Sequence, residues 1–432
     1  MSLKRILAAA AVVIASLVSA GVATPAFAAA TPAAGRLDTS FGAGGKVLTN
    51  LGTGANGQQI QGVASDAALA PNGDIVVSGT FGLVAYLPGG TLDTSFGAGG
   101  RVTTGFPVNA LAIQSNGDIV AVGTGQGNTA TVGTFNIDRF TASGALDPAF
   151  GTGGTVTTTF PQTALGIGAT TVLAEPDGNI LVGGGAGAPG KDGSIVEHQV
   201  LALYHPDGTL DQAFGAGGLV QHSTGGQIGT FAVDAAGDIF APDGIELSPT
   251  GQPFATATAA TIVAASGGNA GIADPNTAVQ GQAILPNAQV VTGLGLSFGR
   301  GIVGVQAELD NADDSTVTGF FNPTFQFSGA TVSKPGSIPA AVAVQADGQI
   351  VIAGTNSAGG FGGTSTFGLA RLTATGSLDT AFGSNGVLTT SFQGNDHVAA
   401  VLIQPGNGDI IVVGKSTSSA GVTDLALARY LG

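Results

Sequence analysis

The nine residues LDTSFGAGG occur twice without a change, at Leu37–Gly45 and at Leu92–Gly100. Close copies stand at Leu146–Gly154 (LDPAFGTGG), Leu210–Gly218 (LDQAFGAGG) and Leu378–Gly386 (LDTAFGSNG). They begin at 37, 92, 146, 210 and 378, so the steps are 55, 54, 64 and 168 residues. The last step is three times 56, which leaves room for two worn copies, and FNPTFQFSGATV at Phe321–Val332 reads as one of them. A period of this size describes a tandem array of supersecondary units, none able to bury its apolar face alone.

A second motif recurs within each period. It reads PNGDIVVSG at Pro71–Gly79, SNGDIVAVG at Ser115–Gly123, PDGNILVGG at Pro176–Gly184, ADGQIVIAG at Ala346–Gly354 and GNGDIIVVG at Gly406–Gly414. AAGDIFAPDG from Ala235 and PNAQVVTG at Pro286–Gly293 bring the number to seven. Asn-Gly or Asp-Gly between apolar runs predicts two strands joined by a tight turn, because both residues tolerate positive φ. The strand before the turn is small and apolar, as in AAVAVQ at Ala340–Gln345, which suits burial on both sides. A third strand follows: LVAYLPGG from Leu83, NIDRFTASG from Asn136, VLALYHPDG from Val200, GLARLTATG from Gly368 and LALARYLG from Leu425. After the LDxxFGxxG connection comes a fourth, short strand, at Val102–Phe106, Val156–Phe160 or Val387–Phe392.

Four antiparallel strands in each of seven periods predict an all-β chain, a β-propeller of seven four-stranded blades. The ends predict closure. The last period stops after its third strand, while the first begins midway, at Arg36-Leu37-Asp38. Joined head to tail, LALARYLG and GRLDTSFGAGGKVLT read as one repeat, with Lys46–Asn50 completing the last blade and removing an open edge. A parallel β-helix is the second choice of architecture, but its rungs are much shorter than this period.

The alternation of LD..FG..G with (D/N)G-x-I-V-V-x-G, together with LARL at Leu369–Leu372 and LARY at Leu427–Tyr430, resembles the delta-60 repeat family of bacterial proteins. The resemblance covers 36–432 with gaps and fades between about 244 and 334, where blades four and five have lost their signature residues. It implies a β-propeller and a tendency towards export, and it carries no catalytic residues.

The first residues stand apart from the repeats. Lys4 and Arg5 form a positive n-region, Ile6–Val18 an apolar core, and Ala26-Phe27-Ala28 a small-x-small cleavage site. This predicts a signal peptide over 1–28, a linker over 29–35 and a single repeat domain over 36–432, with export from the cell. The last residues, Leu431-Gly432, carry no sorting signal or anchor, and no second apolar run is long enough to span a membrane. Loss of Lys4 and Arg5 takes Lys and Arg from 12 to 10 against 27 Asp and Glu, a formal charge of −17. Such a surface repels nucleic acid and anionic lipid, so neither is an expected partner. The absence of cysteine excludes a thiol nucleophile, thiolate metal sites and cysteine lipidation. A chain of this length buries enough surface without disulfides.

The recurring polar residues read as architecture. Asp38, Asp93, Asp147, Asp211 and Asp379 appear once per unit. A ring of carboxylates would suit a metal, but Asp also caps a turn through its own side chain, and repetition favours that role. Arg139, Arg371 and Arg429 occupy equivalent third-strand positions and are expected to pair with these aspartates as fork-shaped donors. Phe41, Phe96, Phe150, Phe214 and Phe382 are expected to plug the gaps between blades, and Tyr86, Tyr204 and Tyr430 to lie in blade cores. His198 and His205 are seven apart, so on one continuous strand they face opposite sides; with His222 and His397 they read as surface or turn residues. Asp310, Asp313 and Asp314 form the densest acidic cluster, in a spacing unlike an EF-hand loop, and read as a solvated loop. No catalytic, cofactor-binding or metal-binding residue is nominated, and no cofactor. The expected function is a secreted, monomeric, non-enzymatic interaction or structural module whose partner is an extracellular protein or polysaccharide. The alternative is an extracellular hydrolase or lyase acting on a polysaccharide.

Overall fold

In the computed structural model, the structure describes residues 34–54, 56–124, 134–159, 165–189, 195–222, 231–233, 237–241, 245–253, 277–284, 290–297, 302–310, 337–357, 364–374 and 377–432. No helix occurs among them. Strand β1 (Lys46–Thr49) comes first. The first sheet is β2 (Ala64–Leu69), β3 (Ile75–Gly79), β4 (Gly82–Tyr86) and β5 (Arg101–Val102). The second is β6 (Val108–Ile113), β7 (Ile119–Thr124), β8 (Thr134–Phe140) and β9 (Thr155–Thr159). The third is β10 (Leu165–Ala174), β11 (Ile180–Pro189), β12 (Ile195–Tyr204) and β13 (Leu219–His222). The fourth and fifth have three strands each among the described residues: β14 (Ala232–Val233), β15 (Ile239–Ala241), β16 (Ile245–Leu247), then β17 (Thr277–Ile284), β18 (Val290–Ser297), β19 (Ile302–Asp310). The sixth is β20 (Ser337–Val344), β21 (Ile350–Ser357), β22 (Ser365–Leu372) and β23 (Val387–Thr390). In the seventh, β24 (Asn395–Ile403), β25 (Ile410–Thr417) and β26 (Thr423–Tyr430) are joined by β1, which pairs antiparallel with β26 from Lys46↔Ala428 to Thr49↔Leu425.

Every pairing between named strands is antiparallel, which overturns nothing but the β-helix alternative. The first hairpin shows how the turn motif works. Gly73 has φ +87°, and Asn72 Oδ1 accepts the Asp74 N–H at 3.1 Å, so the turn is closed by its own side chain. The expected fourth strands are shorter at their ends than their apolar patterns suggest. β5 stops at Val102, because Thr104 Oγ1 donates to the Phe106 carbonyl at 2.6 Å and Phe106 turns into the core between the first two sheets. The worn copy at Phe321–Val332 lies outside the described residues.

The core is not inside any sheet but between sheets. In the first, second, third, sixth and seventh sheets the second strand is apolar on both faces, as in β7, where Ile119 and Ala121 pack towards the first sheet while Val120 and Val122 pack towards the third. The period of two in a strand makes this division automatic. β25 repeats it: Ile410 and Val412 face the sixth sheet, Ile411 and Val413 the first. Core clusters therefore bridge sheets one and two, two and three, three and four, six and seven, and seven and one.

Six of the seven first strands carry an extra residue, seen as a register shift around Ser65, Asn109, Thr170, Gln280, Ala340 and Ala399 in β2, β6, β10, β17, β20 and β24; the described part of β14 shows none. Such bulges bend the strand and free side chains and backbone groups from the ladder. Groups beside the bulges bond to neighbouring sheets: Asp66 Oδ2 accepts from Leu111 N of the next sheet at 3.0 Å, Asn109 Nδ2 donates to the Ala169 carbonyl of the next at 2.8 Å, and Val398 N donates to Thr355 Oγ1 of the preceding one at 3.2 Å.

Candidate functional site

The motif aspartates divide their two oxygens between two tasks. In all five units Oδ1 accepts the backbone N–H two residues on, from Ser40, Ser95, Ala149, Ala213 and Ala381 at 2.9, 3.0, 3.0, 2.9 and 3.0 Å. This is the turn cap expected from the sequence. In three units Oδ2 takes an arginine. Nη2 of Arg139, Arg371 and Arg429 lies 2.7, 2.8 and 2.6 Å from Oδ2 of Asp147, Asp379 and Asp38. Nε donates to the same oxygen at 2.8 Å in each. Both nitrogens of the fork thus converge on one oxygen, because the turn holds the other.

The guanidinium is fixed on its remaining sides as well. Its carbon lies 4.6, 4.5 and 4.8 Å from the ring centroids of Phe150, Phe382 and Phe41, the motif phenylalanines of the same units. Nη1 reaches onward: Arg429 donates to the Pro88 carbonyl of the first sheet at 2.7 Å, and Arg139 to the Pro206 carbonyl of the third. Arg371 and Arg429 also donate from Nη1 to Gln345 and Gln404 Oε1 of their own sheets, both at 3.4 Å. The three arginines are nearly buried. Burial pushes the Asp38 carboxyl up, but the hydrogen bonds from Ser40 and Arg429 outweigh it and hold the group below its usual range. Asp147 is likewise lowered, first by the Ala149 N–H and then by Arg139.

The phenylalanines do plug the gaps between sheets. Turn glycines of the following sheet pack against their edges: a Cβ on Gly90 would stand 2.8 Å from the Phe41 ring, and one on Gly144 would stand 3.0 Å from Phe96. Both have φ near +83°, so no other residue suits the position on either count. Beside each contact the glycine after the phenylalanine donates across the gap. Gly42, Gly97, Gly151 and Gly215 N–H groups reach the carbonyls of Gly89, Ser143, Asp207 and Thr250 at 2.8 Å, and Gly383 reaches Ala34 at 3.1 Å. The tyrosines face the other way: Tyr204 and Tyr430 hydroxyls donate to Thr158 and Thr390 Oγ1 of the preceding sheet at 2.7 Å. In the pair Arg429-Tyr430, neighbouring residues thus bind opposite neighbours.

Arg429→Lys is expected to destabilise the protein by about 1–2 kcal/mol, since an ammonium reaches one of these partners at a time and cannot stack as a plane. A denaturant midpoint unchanged from the parent protein would refute the fork as a stabilising contact.

Two units depart from this pattern. Equivalence is fixed by backbone bonds: the motif Asp N–H donates to the carbonyl of Arg429, Arg139 and Arg371, and to that of Ala85 and Leu203 in the first and third sheets. Leu203 is buried and fills its place with hydrocarbon, and Asp211 there has His205 Nε2 at 3.8 Å from Oδ1. Ala85, 1% exposed, leaves its place open. The glutamine position is also reduced: Ala70 stands where Gln345 and Gln404 stand, each with its N–H bonded across the hairpin turn. A pocket of about 160 Å³ results, lined by Ala70, Ala85, Asp93, the Phe96 ring and, at its edge, Asn72 and Asp74. Composition did not reveal this pocket; the signal was LVAY at Leu83–Tyr86 set against LARY at Leu427–Tyr430.

The remaining expected residues do not gather. β12 ends at Tyr204, so His205 has left the strand and the alternation argument does not reach it. His198 lies within β12, His222 ends β13 and His397 is exposed on β24. Burial and the Lys415 charge both lower His397. Asp310 ends β19, while Asp313 and Asp314 lie outside the described residues. Among the described residues no three His, Cys, Asp or Glu side chains stand together as a metal site. Two other carboxylates, the buried Asp396 and the half-buried Asp66, face backbone. Asp396 accepts from Phe392 N at 2.7 Å and Ser416 Oγ at 2.6 Å. Asp66 accepts from Ala67 N at 2.8 Å besides Leu111 N.

The chain is similar to a β-propeller family described as a domain of unknown function, DUF5122, over residues 114–150, 345–382 and 406–431. Each stretch spans a turn motif and a third strand, so the match falls on the β-propeller repeats of the second, sixth and seventh sheets. No curated protein matches it at a significant level. Among solved structures it is similar to an α-L-arabinofuranosidase from Fusarium graminearum, with 8% identity, 90% of this chain and 98% of that one covered, and a TM-score of 0.46. It is similar also to a gluconolactonase from Xanthomonas campestris, with 13% identity, coverages of 85% and 87%, and a TM-score of 0.38. A glucose dehydrogenase has 10% identity, coverages of 89% and 99%, and a TM-score of 0.37. At these values the likenesses carry no argument about chemistry.

Proposed function

We propose that the chain is a seven-bladed β-propeller of the delta-60 type, closed by β1, that is exported, cleaved near Ala29 and works outside the cell as a monomeric, non-enzymatic interaction module. The pairing of β1 with β26 and the packing of the seventh sheet on the first support closure. The phenylalanine–glycine contact, repeated at five junctions among the described residues, supports one junction geometry. The observation that carries the functional reading is how the recurrent acids are spent. Each motif Asp caps its own turn, three are joined to arginine, and Asp66 and Asp396 accept backbone N–H groups. Side chains so engaged hold blades together; binding is left to the surface between them. The partner is an extracellular protein or polysaccharide, and nucleic acid and membrane surfaces are disfavoured by a net charge of −15 before cleavage.

The test pairs two assays on the purified mature chain. It is incubated with cell-envelope polysaccharides and released reducing ends are measured, and it is used to capture partners from intact cell surfaces with cross-linking. The expected result is capture of a defined partner with no sugar release. Sugar release that survives repurification would overturn the non-enzymatic reading in favour of a hydrolase.

A further inference from the structure

The pocket beside Asp93 lies where three sister units hold a guanidinium, and the protein itself supplies the comparison. Three other units contain the same turn, the same aspartate and the same phenylalanine, and each holds an arginine head between them. In the first unit the carboxylate and ring remain while the arginine is Ala85 and the glutamine is Ala70. The onward acceptor also remains. Ala142 lines the pocket at the place held by Pro88 and Pro206, whose carbonyls take Nη1 in the filled sockets, as the bonds from Gly97, Gly42 and Gly151 to the residues that follow establish.

We propose that this vacant socket receives the arginine side chain of a partner polypeptide. Asp93 Oδ1 is occupied by Ser95, through its N–H at 3.0 Å and its Oγ at 2.6 Å. Oδ2 is the oxygen that takes both guanidinium nitrogens in the sister units, and among the described residues no cation pairs with Asp93. The Phe96 ring offers the stacking face, as Phe41, Phe150 and Phe382 do. The intrinsic arginines enter their sockets from the strand side. Here that side is closed by the methyl groups of Ala85 and Ala70, and the other side opens past exposed Asn72 and Asn116, with Asp74 beside them. The pocket is roughly ten times the about 10–15 Å³ that one water needs, so it takes a planar head group and part of its stem. A planar fork matches one oxygen, one ring face and one carbonyl at once, whereas an ammonium does not. The acidic chain draws such a cation from solution.

This deepens the reading of the chain as a binding module, and rests on it only for the source of the arginine. The test therefore begins with N-acetyl-arginine amide and N-acetyl-lysine amide, titrated at constant ionic strength against the mature chain and followed by calorimetry. Saturable binding of the arginine compound, about tenfold or more tighter than the lysine compound, is the expected result. Two variants locate it. Asp93→Asn should lose that binding, and Ala85→Arg should lose it too while raising the thermal midpoint, because the socket is then filled from within. Equal response to both amides, or arginine binding that survives Ala85→Arg, would overturn the socket. If the amide binds but peptides bearing arginine bind no tighter, the socket stands and the partner is what falls. Failure of the capture assay with amide binding intact would count against the module reading instead.

Discussion

Phe41→Ala is expected to destabilise the protein by about 3–5 kcal/mol, the range for truncating a fully buried aromatic side chain. Phe41 is completely buried, in the cluster that joins the seventh sheet to the first. Its ring has three neighbours that do not substitute for one another. Arg429 stacks on it at 4.8 Å, Gly90 of the next sheet lies against its edge, and Tyr86 shares the cluster. Truncation leaves a cavity that backbone cannot enter, since Gly90 is held by the Gly42–Gly89 hydrogen bond at 2.8 Å. The cavity cost therefore adds to the lost transfer energy. Urea unfolding followed by far-UV circular dichroism gives the value, as the chain has no tryptophan. Leu48→Ala serves as the comparison, because Leu48 is 50% exposed and its loss should change little. A loss for Phe41→Ala no greater than that for Leu48→Ala would show that the ring does not bind the two sheets.

The second expectation concerns pH. Burial pushes Asp66 from 3.8 up to about 6, against the pull of the Leu111 and Ala67 N–H groups. In the unfolded chain the group ionises near 3.8. Between those values the folded state holds a proton that the unfolded state has released, so stability falls as pH rises through the window and is level above it. The loss is on the order of 2 kcal/mol, somewhat below the full conversion of the shift, because Asp66 keeps some exposed surface. Asp38 and Asp147 act with the opposite sign: their carboxyls are lowered, so what they contribute is present above about 3.8 and disappears in stronger acid. Together these predict a stability maximum on the acid side of neutrality. Asp66→Asn should flatten the decline between pH 4 and 6 whatever it does to the absolute value. A variant whose slope there matches the parent's would place the titrating group elsewhere.

Much of this architecture could be read from residue patterns, and the reasons differ from case to case. The Asn-Gly and Asp-Gly turns were legible because positive φ restricts what can stand there, and Gly73 sits where expected. β20 covers Ser337–Val344 where AAVAVQ pointed to a strand, since a run of small apolar residues before a turn has few other uses. The pairing of Arg371 with Asp379 was legible from the recurrence of arginine at equivalent third-strand positions ahead of the motif aspartate. What could not be read was direction. Nothing in LDxxFGxxG says that Phe41 leans on the glycine of the next unit while Tyr430 bonds back to the preceding one; that depends on which face of a strand meets which neighbour in space. The vacant socket was hidden for a related reason. Ala85 is an ordinary residue for a buried strand, and only the geometry of three filled sisters makes its small size a feature. The pattern faded beyond the fourth sheet for lack of LDxxFGxxG rather than of turn residues, since Gly237 and Gly251 still stand at φ +87° and +72°.

The pairing of β1 with β26 also has a mechanical consequence. The strands run antiparallel with Lys46 opposite Ala428 and Thr49 opposite Leu425, so residues 34 and 432 leave the pair at the same end. Tension applied between them does not shear the ladder, which would load all its bonds together. It peels the ladder, opening the Leu37↔Tyr430 bridge and then each pair in turn, with only one or two hydrogen bonds resisting at any moment. The Arg429–Asp38 contact lies at the point where the tear begins. A molecule held by both of those points is thus a low-force opening device.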